Sequence, residues 1–183
     1  QTIQAVLINH DIWIRGAVSY GNVYYDTKLN IIVGDGFINA YKLEAQAVYP
    51  RVIIDPKIIV TVANDKAQFL NLINYKEQQQ VFKKLIYSSD ETAGVFQDNT
   101  LFVDYAFRFF SNLLISKQDI ISPLDKVYED IRKNLYGNFQ FYPKYFWLKN
   151  YFIITIENIL ENVEASTRNK KTLEDMLIKF KAL

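Results

Sequence analysis

Apolar residues recur along this chain at two different spacings. Over residues 2–10, Ile3, Val6 and Leu7 fall at helical intervals. The next stretch, "IWIRGAVSYGNVYY" (residues 12–25), is dense in β-branched and aromatic residues and predicts a strand. Gly16 and Gly21 inside it mark a bulge or a close backbone approach. "DTKLN" has the composition of a turn, and "IIV" predicts a short second strand. After Gly36, the residues Phe37, Ala40, Tyr41, Leu43 and Val48 follow a helix that Pro50 ends, and "RVIID" predicts a buried strand. Asp55 and Pro56 suit the N-cap and first position of a further helix. A helical pattern covers 66–86, a loop 88–94, and two short strands flank Asp98-Asn99 as a hairpin. Beyond that the pattern is helical. Ser122, Pro123 and Asp125 start one helix, and a long one follows Pro143. The last, capped by Thr172, carries Leu173, Met176, Leu177 and Phe180 on one stripe, with Arg168–Lys171 as a solvated run before it.

This order, mixed for about the first hundred residues and helical afterwards, predicts an α+β core over residues 1–106 and a helical C-terminal region over 107–183. Half of the 183 residues are hydrophobic and 15% are aromatic, enough for a sizeable core. The formal net charge is +1, so the overall balance gives no electrostatic basis for a nucleic acid or a membrane surface as partner. With no Cys and one His, thiolate catalysis, disulfides and Cys- or His-rich metal sites are excluded for these residues. No apolar run reaches the ~18–20 residues of a membrane span. Lack of Cys fits a cytoplasmic protein. The first residue is not Met and "QTIQAVLINH" begins inside a helical pattern, so an N-terminal portion of the gene product is expected to precede it.

Candidate chemistry centres on Gly34-Asp35-Gly36, just where a strand hands over to a helix. Free amides and the helix dipole at such a start suit an anion, and glycines permit close approach. Asn39 and Lys42 follow on the same helix three residues apart, the Lys offering a mobile charge for a phosphate oxygen. The alternative from the residues alone is that the glycines make a turn and Lys42 is solvated. Asp98 and Asp104 read as turn and strand-end residues, and His10 as a helix C-terminal cap. Trp13, Tyr20, Tyr24 and Tyr25 read as core or dimer packing, and "FQFYPKYFWLKNYF" as a buried helix or subunit interface.

Taken together, "IRGAVSYGNV", "GDGFINAYKLE" and "RVIID" resemble the second half of the catalytic domain of class III nucleotidyl cyclases. The likeness covers residues 11–55 and is carried by Arg15, Gly16, Gly21, Gly34, Asp35 and Leu43-Glu44. It is nearest the divergent bacterial branch with the uridylate and cytidylate cyclases of Pycsar anti-phage systems. The resemblance implies the C-terminal half of a ferredoxin-like cyclase core in a homodimer. It further implies conversion of a nucleoside triphosphate, UTP or CTP, to a cyclic monophosphate and pyrophosphate, as an antiviral second messenger. Lys42 stands where the family has a phosphate-stabilising Arg, with Gly34, Asp35, Gly36 and Asn39 near the nucleotide. Ile38 stands at the ribose-orienting Asn position and Ile31 at the purine-reading Asp position. Mg²⁺ or Mn²⁺ is implied, with ligands expected upstream of residue 1. The alternatives are a catalytically inactive cyclase-like binding or dimerisation module, and a structural α+β protein with no nucleotide.

Overall fold

The computed structural model describes residues 1–73, 86–88, 100–115, 121–162 and 167–183, with the backbone alone at 86–88, 115, 162 and 167–168. The chain is a mixed α+β protein with a small mixed sheet and a helical C-terminal region. It divides into two compact units: residues 1–13 group with the helices from Asp104 onwards, and the other unit takes its described residues from 14–73, 86–88 and 100–103.

The second of these units holds the sheet. Strands β1 (Gly16–Val18), β4 (Val52–Ile54), β5 (Ile86–Ser88) and β6 (Leu101–Val103) run in the order β1-β4-β6-β5. β1 and β4 are parallel, Gly16 opposite Val52, and the other two pairings are antiparallel. A separate antiparallel hairpin, β2 (Tyr24–Asp26) with β3 (Ile31–Val33), and helix α2 (Asp35–Gln46) lie in the connection from β1 to β4. The hairpin turn has a local cause: the Asp26 carboxylate accepts from the amides of Lys28 and Leu29, and Asn30 takes a positive φ of 53°. The long strand expected over 12–25 is divided, because the backbone at Gly21 adopts φ +157° and its neighbours turn toward the start of α2.

Helix α3 (Pro56–Val62) starts as the sequence indicates: Asp55 caps it by accepting from the Lys57 amide, 2.9 Å, with Pro56 next. Ile54, Phe69 and Leu101 form the centre of this unit's core, flanked by Ile58, Ile59 and Leu70. Phe69 belongs to α4 (Lys66–Ile73). The helix expected over 66–86 does not reach residue 86, which is in β5, where pairing with β6 satisfies the backbone instead. Ser88, expected to open the loop over 88–94, is instead the last residue of β5, and the rest of that loop, the expected "KEQQQVFKKL" helix segment and Asp98-Asn99 lie outside the described residues.

The other unit begins with α1 (Thr2–Ile8), which packs on α5 (Tyr105–Ile115), and continues with α6 (Ile121–Gly137), α7 (Tyr142–Asn162) and α8 (Thr167–Ala182). α6 buries Leu124, Val127, Ile131 and Leu135, a period that defines one face. Leu173, Met176 and Phe180 of α8 are buried as the stripe predicts. Phe152 is the hub of an aromatic cluster, its ring 5.6–6.2 Å from those of Trp13, Phe109, Phe110, Tyr151 and Phe180. One expectation changes: Arg168–Lys171 lie inside α8 and do not precede it, since Arg and Lys favour a helix about as well as any polar residue. Among the described residues no helix is long and apolar enough to cross a membrane.

Candidate functional site

The Gly-Asp-Gly segment sits at the amino end of α2, and its glycines serve a backbone contact. Gly34 is the N-cap, with φ +134° and ψ 160°, a conformation essentially restricted to glycine. A Cβ there would lie 2.2 Å from the Asn22 carbonyl oxygen, and one on Gly36 would lie 2.8 Å from that of Gly21. A Cβ on Gly21 would meet the Gly36 nitrogen at 2.6 Å. The three glycines therefore let the helix start press directly against the 21–23 backbone. The Gly36 amide donates to the Asn22 oxygen at 3.1 Å, so one of the first-turn donors is already engaged. The Asp35 carboxylate occupies the first turn, where the helix dipole favours it.

Along α2, successive residues turn by about 100°. Gly36 is buried and Asn39, Ala40, Leu43 and Glu44 are half-buried, which defines the inner face. Phe37, Ile38, Tyr41 and Lys42 are exposed on the outer face. The apolar residues Phe37 and Tyr41, which follow the helical spacing, lie outside the core. Asn39 and Lys42 are neighbours at the border between the two faces, about 60° apart around the axis. No hydrogen bond or ion pair joins Lys42 to another described residue. Two residues that carry the cyclase resemblance do meet: the Arg15 guanidinium pairs with the Glu44 carboxylate across 29 positions of sequence, fixing the inner face of α2 beside the start of β1.

Lys42 shares its surroundings with an apolar surface. Tyr24, Tyr25, Ile31, Ile32 and Val33 on the hairpin, and Phe37, Ile38 and Tyr41 on α2, are each 44–72% exposed. The hairpin touches α2 through β3. Successive residues of a strand point to opposite faces, and consecutive residues of both strands are exposed, so the hairpin has apolar side chains on both faces. Tyr20, Tyr24 and Tyr25, expected in core or dimer packing, are outside the core of this chain.

Ionisable groups with shifted behaviour lie in the helical unit. Asp104 is buried. Its carboxylate accepts from the Tyr151 hydroxyl at 2.6 Å and from the Phe107 amide at 3.1 Å, and the same hydroxyl accepts from the Ala106 amide. Complete burial, reinforced by the neighbouring Asp104 charge, pushes the Tyr151 phenol well above its ordinary range. Asp130 accepts from the Trp13 indole N–H at 2.7 Å and from the Asn134 side-chain carboxamide at 2.9 Å. Its pKa is nonetheless raised, first by desolvation and then by Asp11. Burial and these same carboxylates push Tyr145 up to about 12. Asp104 is thus a helix cap, as its strand-end position suggests, and His10 is exposed in the turn after α1. Trp13 lies in the helical unit. No period marks Asp130, Trp13 or Tyr151 as partners, and nothing in the sequence signals these pairs. Among the described residues no three His, Cys, Asp or Glu side chains gather in a way that could hold a metal ion.

Compared with protein-family models, curated proteins and solved structures, the chain finds no match in any of the three.

Proposed function

We propose that this chain is a class III nucleotidyl cyclase-like module that works as a homodimer on a nucleoside triphosphate. The observation that carries the reading is the position of Lys42. It is an exposed cation without a carboxylate partner among the described residues, at the edge of an apolar surface that solvent does not favour. On any one side, Phe37, Tyr41 and one of the two hairpin tyrosines, which point to opposite faces, leave about 350 Å² exposed, taking about 200 Å² for a whole side chain. Ile38 and the aliphatic residues of the same hairpin face add to it, a large part of the ~800 Å² per partner of a stable interface. A second copy covering it would bring the ammonium of Lys42 toward an anion held across the interface. There it would neutralise charge on a triphosphate whose ribose 3′-hydroxyl displaces pyrophosphate from the α-phosphorus. Lys keeps the charge of the family's Arg but lacks its two-pronged geometry. Ile31 at the base-reading position offers no hydrogen bond to a purine edge, which favours UTP or CTP.

Gly34, Asp35 and Gly36 shape the approach to α2, and Asn39 is offered to the ribose from its border position. The Mg²⁺ or Mn²⁺ that such chemistry requires has no fitting set of ligands among the described residues. A ferredoxin-like core and an anti-phage second-messenger role rest on the resemblance alone, and a cytoplasmic location on the lack of Cys.

A second reading, an inactive dimerisation module, is favoured by two observations: the Gly36 amide is engaged by Asn22, and Asp35 places a negative charge where a phosphate would approach. One experiment separates the two. The full-length gene product is incubated with each of the four nucleoside triphosphates and Mn²⁺, products are separated by chromatography, and oligomeric state is followed by sedimentation. The cyclase reading expects a dimer that forms a cyclic pyrimidine monophosphate and a Lys42→Ala variant slowed by a factor of about 100 or more. A dimer that converts none of the four supports the second reading, and a monomer sinks both.

A further inference from the structure

The helical unit carries a surface that the proposed function does not use. Between Ile131 and Ile156 the sequence holds Arg132, Lys133, Lys144 and Lys149 and no carboxylate, although the whole chain is nearly neutral. The chain-wide balance conceals this segregation. At its centre is the turn from α6 to α7. Phe139 is 92% exposed there, and Phe141, Tyr142 and Phe146 are 38–45% exposed. The turn is firmly built: the Asn138 carboxamide oxygen accepts from the Gln140 amide at 2.9 Å, and the Asn138 carbonyl accepts from the Phe141 amide at 3.0 Å. The aromatic side chains are therefore held outward by backbone geometry. Arg132 is paired with Glu129, and Lys133 acts on the Asp130 carboxylate without forming an ion pair, whereas Lys149 makes no ion pair with a described residue. Lys149 sits over the Phe146 ring, 5.5 Å from its centroid.

Charge selects among the occupants of such a face. A second copy on a twofold axis would bring the same lysines together. A single-stranded nucleic acid needs a line of cations along its backbone and free ring faces for its bases. Here Tyr142 and Phe146 stack on each other at 5.6 Å, and Lys149 covers the latter. A bilayer surface needs neither: rings settle at headgroup depth while lysines reach the phosphates along their apolar stems. We propose that the α6–α7 turn docks on an anionic phospholipid bilayer, with Phe139 and Phe141 at headgroup depth and Lys133 and Lys149 against lipid phosphates.

The test is co-sedimentation of the intact protein with vesicles of phosphatidylcholine alone and of phosphatidylcholine with phosphatidylserine. A single-stranded oligonucleotide is the competitor. Binding is expected to the second vesicle only, and to weaken as salt is raised. Lys149→Ala should reduce it about five-fold, and Phe139→Ala about ten-fold or more. Phe139 is exposed and Lys149 half-buried outside the core, so circular dichroism of the variants should match the parent. Four results each overturn the proposal: no binding to either vesicle, equal binding to both, binding that ignores both substitutions, or displacement by the oligonucleotide.

Discussion

The same substitution, Gly→Ala, should have opposite effects at two positions of this chain. At Gly34 the backbone conformation alone costs about 1–3 kcal/mol for any residue with a Cβ. The added methyl would also stand 2.2 Å from the Asn22 oxygen, and moving the 22–23 backbone away adds overpacking of about 1–3 kcal/mol. A loss of about 2–6 kcal/mol is a large share of the 5–15 kcal/mol typical of a folded domain. At Gly137, the last residue of α6, a Cβ meets nothing within 4 Å and the backbone is not left-handed. Alanine there restricts only the unfolded chain and should stabilise by about 0.4–1 kcal/mol. Thermal melts followed by far-UV circular dichroism, at matched protein concentration, read both. Near 180 residues each kcal/mol moves the midpoint by about 2–4 °C. Gly34→Ala should therefore melt at least about 4 °C lower and Gly137→Ala slightly higher. Equal midpoints for the two variants would refute the close backbone contact. So would a Gly34→Ala variant that keeps its stability and loses only nucleotide binding, because the glycine would then serve a ligand and not the 21–23 backbone.

Three further outcomes follow from the polar contacts. Tyr151→Phe removes the hydroxyl that donates to Asp104 and accepts from Ala106, and should cost about 1–3 kcal/mol in urea unfolding; a loss under about 0.5 kcal/mol would mean the buried network contributes little. Asp130 has its folded pKa raised, so the folded state holds the proton more tightly than the unfolded chain and stability falls as pH rises through that pKa. Asp130→Asn keeps an acceptor without the desolvated charge, so its advantage over the parent should be largest at neutral pH and shrink toward pH 4; an advantage independent of pH would refute this. Lys42→Ala should leave stability within about 0.5 kcal/mol, and a larger drop in the melting curve would reveal a folded-state partner for the ammonium.

Local signals in the sequence were sufficient where a structure is decided by neighbours in the chain. Asp55-Pro56 capping α3, the Asp26–Asn30 turn, and the Leu173-Met176-Phe180 stripe of α8 are all of this kind. They were insufficient where distant segments decide. Residues 12–25 have strand composition throughout, yet the chain leaves the sheet after Val18 because the start of α2, more than ten residues on, presses against Gly21–Val23. Residue 86 reads as the end of a helix until β6 offers it a partner. The pairing of Trp13 with Asp130 spans 117 positions, and that of Tyr151 with Asp104 spans 47. Neither residue of either pair announces the other.

Helix α2 shows why a candidate site is harder to read than a fold. Periodicity states which residues share a face, not which face is covered. Its most apolar stripe, Phe37, Ile38 and Tyr41, would ordinarily be assigned to the core. The contacts that orient the helix are instead the glycine-on-backbone abutment at its start and the Arg15–Glu44 pair near its end. Both lie on the side of Gly36, Leu43 and Glu44, so they rotate the apolar stripe outward and bring Lys42 to its edge. A helix oriented in this way leaves apolar area exposed that burial would stabilise by about 25 cal/mol per Å². The sheet of the same unit does not cover that area. Association is then the physical outlet for the stripe, and the charge at its edge bears on which partner the surface accepts.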